Sequence, residues 1–546
     1  MKKIFQVLPL VLATSTAMAY EQDKTYNFTV IHSNDIHGRF APNDKGEYGL
    51  AVHKTVVDNI RKEVEAKGGS VIMLNAGDFN TGVPEADMQN AEPTIQGFNL
   101  LKVDALALGN HEFDNPLQVL DMQEKWANFP FLAANVINKK TGKTLVKPYT
   151  VLDKSGLKVA VVGLTTEDTA HVGNPLYLGD VEFKDPTTTA RETLKELNET
   201  VKPDIKIALT HMGYYYDGHY GSNAPGDVTM ARRLDKGAFD MIVGGHSHDP
   251  VCMDDKGVWI KDYKPTQACK PDFQNGTWIM QANEWGKYLG RADFEFKNGE
   301  LKLVNYQLIP MNLKKKVKNA EGKTEYVLYT DEIPQDPEAA KVLGEYQAKG
   351  TALLSQKVGE LKGKLEGDRT IVRFQQTNLG HFIAEAHRQL TNSDFGVMNS
   401  GGVRDSIEPG EITFKNILKV HPFGNMVASV EMTGKEVIDY LNVVALKEVD
   451  SGAYAQFSGI SMVVDRKAGK VENVKIQGKP IDLNKTYRFS LLDFSAAGGD
   501  SYPKVNKLPT YKNTHVIDAD ALKAFFEKNS PIDASKYDPK DEIIYK

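Results

Sequence analysis

The 546-residue sequence lacks several features that would each define a class of protein. It contains only two cysteines, which excludes a cysteine-rich zinc module and a dense disulfide framework. Its 66 basic and 72 acidic residues are interspersed rather than collected in blocks, which argues against non-specific binding to a nucleic acid polymer. With 41% hydrophobic and 25% charged residues the composition is globular, and the length predicts two large domains or three smaller ones.

Long hydrophobic runs are also absent, and a short one stands near the N-terminus. Lys2 and Lys3 precede an apolar stretch at residues 4–13, and Ala17-Met18-Ala19 follows it. This pattern predicts a secretory signal peptide at residues 1–19, cleaved after Ala19. A signal anchor is the alternative, but it needs about 20 apolar residues to cross a bilayer. We therefore expect an exported protein without a membrane anchor, most simply in a bacterial periplasm.

Cys252 and Cys269 are the two cysteines. An oxidising compartment permits a disulfide between them. Closing so short a loop would contribute on the order of 3 kcal/mol in the chain-entropy description. Two free structural thiols are the alternative, and nothing in the sequence indicates that either cysteine is a nucleophile.

Short β-branched runs alternate with longer helical segments in the first half of the chain. The runs lie at 28–32, 71–74, 105–108, 159–162, 205–209 and 241–243, and helices are predicted at 50–65 and 186–197. Runs of a few apolar residues rich in Val and Ile are typical of strands that are buried on both faces. The sequence therefore predicts a layered α/β domain over residues 20–336.

A charged, Ala-rich segment at 337–356 contains no strand pattern and predicts a helix that links two domains. An ordinary helix inside one large domain is the alternative. From residue 357 to 546 a second mixed region follows, with helices predicted at 379–390 and 433–446 and strands at 459–464 and 486–492.

Five of the six predicted strands lead directly into side chains that bind divalent metals. These segments are Asp35-Ile36-His37, Gly77-Asp78, Gly109-Asn110-His111-Glu112, His211 and Gly244-Gly245-His246-Ser247-His248. Ligands collect beyond the carboxyl ends of strands in open α/β sheets, so we expect the five segments to converge on one metal site. In an extended chain, residues i and i+2 point to the same side, which predicts that Asp35 and His37 face one metal and that His246 and His248 are directed together.

In this order, the segments resemble the signature of the calcineurin-like metallophosphoesterases. Together with Asp114 and the segment Asn223-Ala224-Pro225-Gly226-Asp227, they resemble the 5′-nucleotidase family, and in particular its bacterial periplasmic members that also hydrolyse UDP-sugars. The resemblance extends over essentially the whole chain after residue 19. It implies a four-layer α/β/β/α metallophosphoesterase domain, a linker helix that acts as a hinge, and a C-terminal mixed α/β domain that determines nucleotide specificity.

The resemblance also implies a role for each residue of the metal site. Asp35, His37 and His248 would hold one divalent ion, Asn110, His211 and His246 would hold a second, and Asp78 would bridge both. Nitrogen and oxygen donors of this kind suit Zn²⁺, Mn²⁺ or Co²⁺. Two such ions, about 3.5 to 4 Å apart, lower the pKa of a shared water to roughly 7 and so provide hydroxide for in-line attack on phosphorus.

His111 would then stabilise charge on the transferring phosphoryl group or the leaving oxygen, and Asp114 would orient its imidazole. The two residues are close enough in sequence for a short helical turn to bring them to hydrogen-bonding distance. The alternative is that Asp114 only caps the local turn.

The C-terminal region would supply the nucleotide pocket. Its motifs include Gly367-Asp368-Arg369, Arg373, Asn399-Ser400-Gly401-Gly402-Val403-Arg404, His421-Pro422-Phe423-Gly424-Asn425 and Phe494-Ser495-Ala496-Ala497-Gly498-Gly499-Asp500. The resemblance implies that Phe423 and Phe494 clamp the base, that Arg369, Arg373 and Arg404 meet phosphate, and that Asn425 and Asp500 contact the base or ribose. Without it, these side chains would be interpreted as core aromatics and surface ion pairs.

We therefore predict an exported, monomeric dimetal phosphohydrolase that acts on nucleoside 5′-monophosphates, other 5′-nucleotides and UDP-sugars. A related enzyme that cleaves 2′,3′-cyclic nucleotides and 3′-nucleotides is the first alternative, since it would share the metal site and differ in the base pocket. A non-catalytic nucleotide- or metal-binding protein is the second, but simple capture needs neither His111 nor Asp114. The sequences Gly142-Lys143-Thr144 and Gly322-Lys323-Thr324 lack the earlier glycine of a P-loop, and no Gly-x-Ser-x-Gly elbow of a serine hydrolase is present.

Overall fold

The computed structural model describes residues 20–216, 225–319 and 323–546. The predicted signal peptide at 1–19 lies outside the described residues, as do Asn223, Ala224 and Gly322. Within the described ranges, no helix has the combination of length and apolar character that crossing a membrane requires.

Strands and helices alternate along the first half of the chain. Its strands are β1 (Tyr26–Ser33), β2 (Ser70–Asn75), β3 (Ala105–Ala107), β4 (Phe131–Leu132), β5 (Val136–Asn138), β6 (Lys143–Thr144), β7 (Tyr149–Lys154), β8 (Leu157–Thr165), β9 (Val181–Phe183), β10 (Ile205–His211), β11 (Met241–Val243), β12 (Asp272–Gln274), β13 (Thr277–Met280), β14 (Tyr288–Lys297), β15 (Glu300–Pro310), β16 (Lys314–Lys318) and β17 (Thr324–Leu328). Its helices are α1 (Leu50–Ala66), α2 (Pro84–Asp87), α3 (Glu92–Leu101), α4 (Leu117–Trp126), α5 (Thr169–Val172), α6 (Pro186–Thr200) and α7 (Asp227–Arg233). All six predicted strands and both predicted helices are present.

Two six-stranded sheets form the centre of this region. One has the strand order β15-β14-β1-β2-β3-β4 and the other β12-β13-β11-β10-β8-β7. Side chains from both sheets, among them Phe28, Leu74, Val161 and Leu209, share one buried cluster, so the sheets pack face to face. Separate clusters lie between the first sheet and α1 and α3, and between the second sheet and α6 and α7. The predicted four-layer α/β/β/α order is therefore confirmed.

The direction of the strands determines where a site can form. Strands β1 to β4 are parallel, and so are β8, β10, β11 and β13, while antiparallel strands lie toward the edges of both sheets. The carboxyl ends of the central strands of each sheet therefore lie along one edge, and the loops that follow them can meet.

Helix α8 (Pro337–Leu354) follows this region and packs on it. Leu343 is buried in the same apolar cluster as α1 and α3, and the Tyr346 hydroxyl donates a hydrogen bond to Glu92 at 3.0 Å. At Gly350 a side chain would collide with α2, so the glycine permits the close approach of the two helices. The helix ends before residue 356, and these contacts attach it to the N-terminal region. The domain boundaries themselves stay a prediction.

The second half of the chain forms the predicted mixed α/β region. Its strands are β18 (Lys357–Lys362), β19 (Phe395–Asn399), β20 (Gly410–Thr413), β21 (Met426–Thr433), β22 (Ala455–Ser458), β23 (Ile460–Asp465), β24 (Lys470–Ile476), β25 (Lys479–Pro480), β26 (Thr486–Leu492), β27 (Lys512–Ile517), β28 (Ile532–Asp533) and β29 (Ile543–Tyr545). Its helices are α9 (Arg369–Val372), α10 (Asn378–Leu390), α11 (Phe414–Val420), α12 (Gly434–Val444), α13 (Asp493–Ala496) and α14 (Asp518–Asn529). A five-stranded sheet, β22-β19-β26-β21-β27, has α10 and α14 on one face and α12 on the other.

Cys252 and Cys269 form the predicted disulfide, with their Cα atoms 4.8 Å apart. The alternative of two free thiols is therefore wrong. The bridge closes an irregular segment between β11 and β12, beside a pair of backbone hydrogen bonds that Met253 and Lys270 exchange.

Candidate functional site

The loops that follow β1, β2, β3, β10 and β11 meet where the carboxyl ends of the two sheets come together. Backbone hydrogen bonds join them: Asp35 N–H donates to Gly77 at 2.9 Å, and His37 N–H donates to Asp78 at 2.9 Å. The backbone N–H of His246 donates to the Asp35 carboxylate at 3.0 Å. All seven predicted metal ligands lie at this junction, so the site belongs to both sheets rather than to one.

Asp35, His37 and His248 form the first cluster, and their ligand atoms all lie within 4.8 Å of one another. The Nε2 atom of His248 is 3.2 Å from the Oδ1 atom of Asp35 and 3.3 Å from the Nε2 atom of His37. This is the arrangement expected of side chains that share one small ligand.

Asp78, His211 and His246 form the second cluster, again with ligand atoms within 4.8 Å of one another. The Oδ2 atom of Asp78 is 3.0 Å from Nε2 of His211 and 3.7 Å from Nε2 of His37, so it lies between the two clusters. Nδ1 of His246 is 2.7 Å from the amide oxygen of Asn110. A third set of close donors, His37, Asp78 and His111, overlaps both clusters. Asp78 therefore lies where the family resemblance places a shared ligand, and the assignment of each ligand to one ion stays a prediction.

The segments converge at the strand ends as predicted, but the prediction that extended backbone aims residues i and i+2 to the same side is wrong. Asp35, His37, His246 and His248 are not in extended chain: their φ values are +50°, +48°, +81° and +62°. His246 is directed to Asn110, whereas His248 is directed to Asp35, so the two histidines belong to different clusters. Left-handed backbone, which is uncommon outside glycine and clusters at functional sites, turns these side chains inward.

Two of the imidazoles are oriented by backbone carbonyl groups. Nδ1 of His37 lies 2.8 Å from the oxygen of Thr81, and Nδ1 of His211 lies 2.6 Å from the oxygen of Ala76. A carbonyl oxygen can only accept, so each Nδ1 carries the proton and donates it. The Nε2 atom of each ring then faces the Asp78 carboxylate, as it does in metal-binding histidines.

His248 is oriented by a carboxylate that the sequence did not indicate. Its Nδ1 atom is 2.6 Å from Glu284 Oε2, and Lys287 donates to the other Glu284 oxygen at 2.6 Å. A carboxylate behind a ligating imidazole fixes the ring and makes it a stronger ligand. Glu284 precedes β14, far from the motifs, and only the folded chain brings it to His248.

These residues fit a pair of divalent metal ions. The Nε2 atom of His211 is fully buried, makes no hydrogen bond of good geometry and lies 3.0 Å from Oδ2 of Asp78. Burial lowers the pKa of His211, but the carboxylates of Asp78 and Asp35 outweigh it and raise the pKa to about 10, so the pocket favours a cation at this nitrogen. Among the described residues, sets of three such donors occur only at this junction.

Glu112 holds two of the ligand-bearing loops together, a role that the sequence did not reveal. Its buried carboxylate accepts hydrogen bonds from the backbone N–H groups of Gly109 at 2.7 Å, Asp78 at 2.9 Å and Phe79 at 3.0 Å. Burial, with the charge of Asp78, raises the pKa of Glu112 to about 7. Its place in the Gly-Asn-His-Glu segment was the only signal available.

His111 and Asp114 lie beside the clusters on a short 3₁₀ turn, His111–Phe113. Nδ1 of His111 is 2.6 Å from Oδ2 of Asp114, and the Thr81 hydroxyl donates to the same oxygen at 2.6 Å. Burial lowers the pKa of His111, but Asp114 and Asp78 outweigh it and the pKa is raised. The predicted turn thus joins the pair, and Asp114 contacts the imidazole rather than only capping the turn.

The three predicted phosphate-binding arginines form a positive patch. None of Arg369, Arg373 and Arg404 forms an ion pair with a carboxylate in the described ranges, so they are not the surface ion pairs that their type alone would suggest. Burial and the neighbouring guanidinium groups lower the pKa of Arg373 to about 9. Burial and Arg369 lower the pKa of Arg404 to about 10. Such a patch binds anions, and guanidinium groups match phosphate oxygens.

Phe423 connects this patch to the metal clusters. Its ring stacks on His111 with centroids 6.0 Å apart and an interplanar angle of 15°. On the same ring, the Arg404 guanidinium lies 5.4 Å from the centroid. The C-terminal arginines and the N-terminal dyad therefore face one cleft.

Three further predicted residues lie in the C-terminal region. Asp500 accepts a hydrogen bond from Asn399 at 2.7 Å and is close enough to Arg373 for that charge to lower its pKa, which burial raises. Phe494 is 9% exposed, and Asn425 is buried. The structure shows no contact of Phe494 or Asn425 with His111, so their assignment to a base pocket rests on the resemblance.

Comparison with known proteins agrees with this geometry. Residues 28–250 match the calcineurin-like phosphoesterase family, and residues 357–507 match the C-terminal domain of 5′-nucleotidases. Protein UshA of Yersinia enterocolitica is 59% identical over 537 residues, which cover 98% of this chain and 97% of that protein. A 5′-nucleotidase of Vibrio cholerae is 57% identical over 534 residues, 98% of this chain and 96% of that protein. The crystal structure of a 5′-nucleotidase precursor from Thermus thermophilus has a TM-score of 0.74 at 28% identity and covers 95% of this chain and 99% of that one.

The layered fold and the paired clusters at the strand ends define a metal-dependent phosphoesterase of the calcineurin-like class. The match of residues 357–507 to the C-terminal domain of 5′-nucleotidases narrows the class of phosphoesterase further. The chain belongs to the 5′-nucleotidase family.

Proposed function

We propose that this protein releases phosphate from nucleoside 5′-monophosphates and other 5′-nucleotides and that it also hydrolyses UDP-sugars. The observation that carries the proposal is the stacking of Phe423 on His111, 6.0 Å between centroids, because it brings a phosphate-binding patch up to the metal clusters. A relative named as a 5′-nucleotidase, 57% identical over nearly the whole chain, supports the substrate class.

The metal site would hold two divalent ions, Zn²⁺, Mn²⁺ or Co²⁺, since its donors are nitrogen and oxygen without thiolate. Asp35, His37 and His248 would hold one ion, Asn110, His211 and His246 the other, and Asp78 both. When bound, the ions supply the Lewis acidity that activates a water for in-line attack and neutralises phosphate charge.

The chain's own groups position the substrate and stabilise charge. The imidazole of His111, held by Asp114, would donate a hydrogen bond to the phosphoryl or leaving oxygen, where negative charge develops. Arg369, Arg373 and Arg404 would orient the phosphates. Burial and the mutual proximity of the guanidinium groups lower the pKa of Arg373 and of Arg404, so a bound anion would be favoured in the cleft.

The nucleoside would lie in the C-terminal region. Phe423 and Phe494 would stack on the base, a contact worth about 1 to 3 kcal/mol per base. Asn425 and Asp500 would contact the base or ribose. Asn399 supports Asp500 in this role, because its amide holds the carboxylate at 2.7 Å.

Substrate can enter and product can leave if the N-terminal and C-terminal regions separate. We therefore propose that the linker contains a hinge. Because α8 is packed on the N-terminal region, the rotation would occur at its end, near residues 355–357, rather than within the helix. Export to a periplasm and action as a monomer complete the proposal; the apolar run at 4–13 and the disulfide support export.

A phosphate-release assay tests the proposal. Purified protein is given AMP, 3′-AMP, 2′,3′-cyclic AMP or UDP-glucose, each with and without a chelator, and a coupled phosphatase reveals phosphate esters released from UDP-glucose. We expect chelator-sensitive cleavage of AMP and UDP-glucose. Cleavage of only the 3′ and cyclic substrates would identify the related phosphodiesterase instead, and no cleavage with metal supplied would identify a binding protein.

A further inference from the structure

One of the six predicted strands ends without a candidate metal ligand. Strand β8 ends at Thr165, which is the register partner of His211 in the neighbouring strand. The next residue, Thr166, donates its N–H to the His211 carbonyl at 2.9 Å. Asp168 follows two residues later, so it lies within about 10 Å of Thr165 along the chain. The loop after β8 therefore borders the metal site.

The Asp168 side chain is largely buried, and the described chain offers its carboxylate no hydrogen-bond donor. It occupies the N-cap position of α5, where an aspartate normally accepts a hydrogen bond from its own helix, yet it makes no such bond. Asp168 is only 6% exposed. No N–H or O–H group of the described chain donates to its carboxylate. Its oxygens are not among the fully buried unpartnered atoms of the described residues, so solvent, or a ligand that displaces solvent, can reach them.

Asp168 lies beside the proposed nucleoside pocket. Helix α5 packs against the 3₁₀ turn Gly499–Ser501, which carries Asp500. Burial raises the pKa of Asp168 to about 6; the charge of His171 opposes this rise, and the charge of Asp500 adds to it.

The chemistry of the pair indicates the ligand. Ionised carboxylates only accept hydrogen bonds, so a partner between them must offer donors. A metal ion is not favoured, because in the described residues no set of three close donors includes Asp168 or Asp500. The adjacent hydroxyl groups of a ribose offer two donors on neighbouring carbons, and acidic side chains bind ribose hydroxyls in other nucleotide sites.

We propose that Asp168 is a specificity-determining residue of the N-terminal region that accepts a hydrogen bond from one ribose hydroxyl of the nucleotide, opposite Asp500. This inference rests on the proposed function. It makes the recognition of ribose depend on the two halves of the chain closing over the substrate, because each half supplies one of the two carboxylates.

The test compares kcat/KM of the wild type and of Asp168→Ala for four substrates: AMP, 2′-deoxy-AMP, 3′-deoxy-AMP and p-nitrophenyl phosphate. A lost hydrogen bond to a charged group lowers kcat/KM about 10-fold to 100-fold. We expect this loss for AMP and for one deoxynucleotide. The deoxynucleotide that lacks the bound hydroxyl, and p-nitrophenyl phosphate, which has no ribose, should be unaffected.

Glu167→Ala is the matched control. Glu167 is the adjacent acid, but it is more exposed, and the charges that affect its pKa include Asp185 and Arg233 and not Asp500. Asp168→Asn keeps the size of the side chain and should show a smaller loss with the same pattern. An equal loss on all four substrates in both Asp168 variants would show a structural role and overturn the inference. Wild-type cleavage of p-nitrophenyl phosphate but of no nucleotide would instead overturn the proposed function itself.

Discussion

The carboxylate of Glu112 accepts a hydrogen bond from the backbone N–H of Asp78, with 2.9 Å between Oε2 and the nitrogen. The same oxygen accepts from the N–H of Gly109 at 2.7 Å. The loop that carries the shared candidate ligand is thereby fixed to the loop that carries Asn110. One carboxylate, which touches no metal ligand atom itself, determines how two ligand-bearing loops meet.

Glu112→Gln should weaken metal binding by about 10-fold to 100-fold, the usual effect of losing an outer hydrogen-bond partner. The amide would direct its own N–H groups at backbone donors, so part of the network would be left unpaired. Metal content after dialysis at graded metal concentrations measures the effect. Glu124→Gln, on the exposed side of α4, is the control. Wild-type metal affinity in Glu112→Gln would show that the loops do not need this carboxylate.

His111→Ala should lower kcat by at least about 100-fold while both ions stay bound, because the residue would act on the substrate rather than on the metals. Metal analysis and steady-state kinetics on the same preparation test this. Loss of metal from the variant would mean that a ligand had been mistaken for a catalytic group.

Thr81→Val should lower kcat by roughly 10-fold with little change in KM, because the Thr81 hydroxyl is 2.6 Å from the Asp114 oxygen that orients His111. Valine keeps the branched shape and removes only the hydrogen bond. Thr81→Ser restores the hydroxyl and should restore kcat. If serine and valine behave alike, the hydrogen bond has no part in orienting the imidazole.

Lys415→Ala should favour separation of the two halves. The Lys415 ammonium, on α11, contacts Oε1 of Glu85 at 2.5 Å, and Glu85 is 1% exposed. Without this partner a buried carboxylate is left uncompensated, which costs about 3 to 5 kcal/mol in a closed structure. We expect KM to rise about 10-fold or more and the radius of gyration in small-angle scattering to increase.

Lys419→Ala is the matched control for this experiment, since Lys419 lies on the same helix and makes no ion pair with the described residues. Its KM and scattering should equal those of the wild type. An unchanged scattering profile in Lys415→Ala would mean that the ion pair does not hold the halves together.

Asp227→Asn should change the dependence of stability on pH. Asp227 is fully buried, and burial raises its pKa to about 7, although Thr210 and His211 oppose the shift. Because the folded pKa lies above the ordinary value, the stability contributed by the protonated carboxyl is complete below about pH 4 and is lost as the pH rises through 7.

Between about pH 5 and about pH 8.5, the free energy of unfolding of the wild type should therefore fall by about 2 to 3 kcal/mol relative to that of Asp227→Asn. Denaturant unfolding at the two pH values, with metal supplied, measures this. Asp121→Asn, at an exposed position on α4, should follow the wild type. A constant difference between Asp227→Asn and the wild type would contradict the prediction.

The sequence predicted the central strands because buried parallel strands read as unbroken Val- and Ile-rich runs, as in β8 and β10. It predicted the ligand residues because they follow those runs directly. It did not predict the backbone that aims them, since the left-handed φ of His37 or His248 depends on contacts between loops far apart in sequence.

The supporting residues could not be predicted for the same reason. Glu284 is recognisable only by its 2.6 Å contact with His248, and Thr81 only by its contact with Asp114. Nor could the sequence show that α8 is packed along the N-terminal region, because its amphipathic pattern does not say which half of the chain covers it. Long-range packing, rather than local pattern, determines all three.

The left-handed backbone at Asp35, His37, Asp78, His246 and His248 also restricts how the site can be redesigned. Aspartate, asparagine and histidine tolerate this conformation better than other side chains with a Cβ atom, and the same three residue types donate oxygen or nitrogen to metals. Introducing cysteine or a β-branched residue to attract a softer metal would therefore meet a conformational penalty before any coordination chemistry began. Engineering of metal preference at this junction would have to reshape the loops first and exchange the donor atoms second.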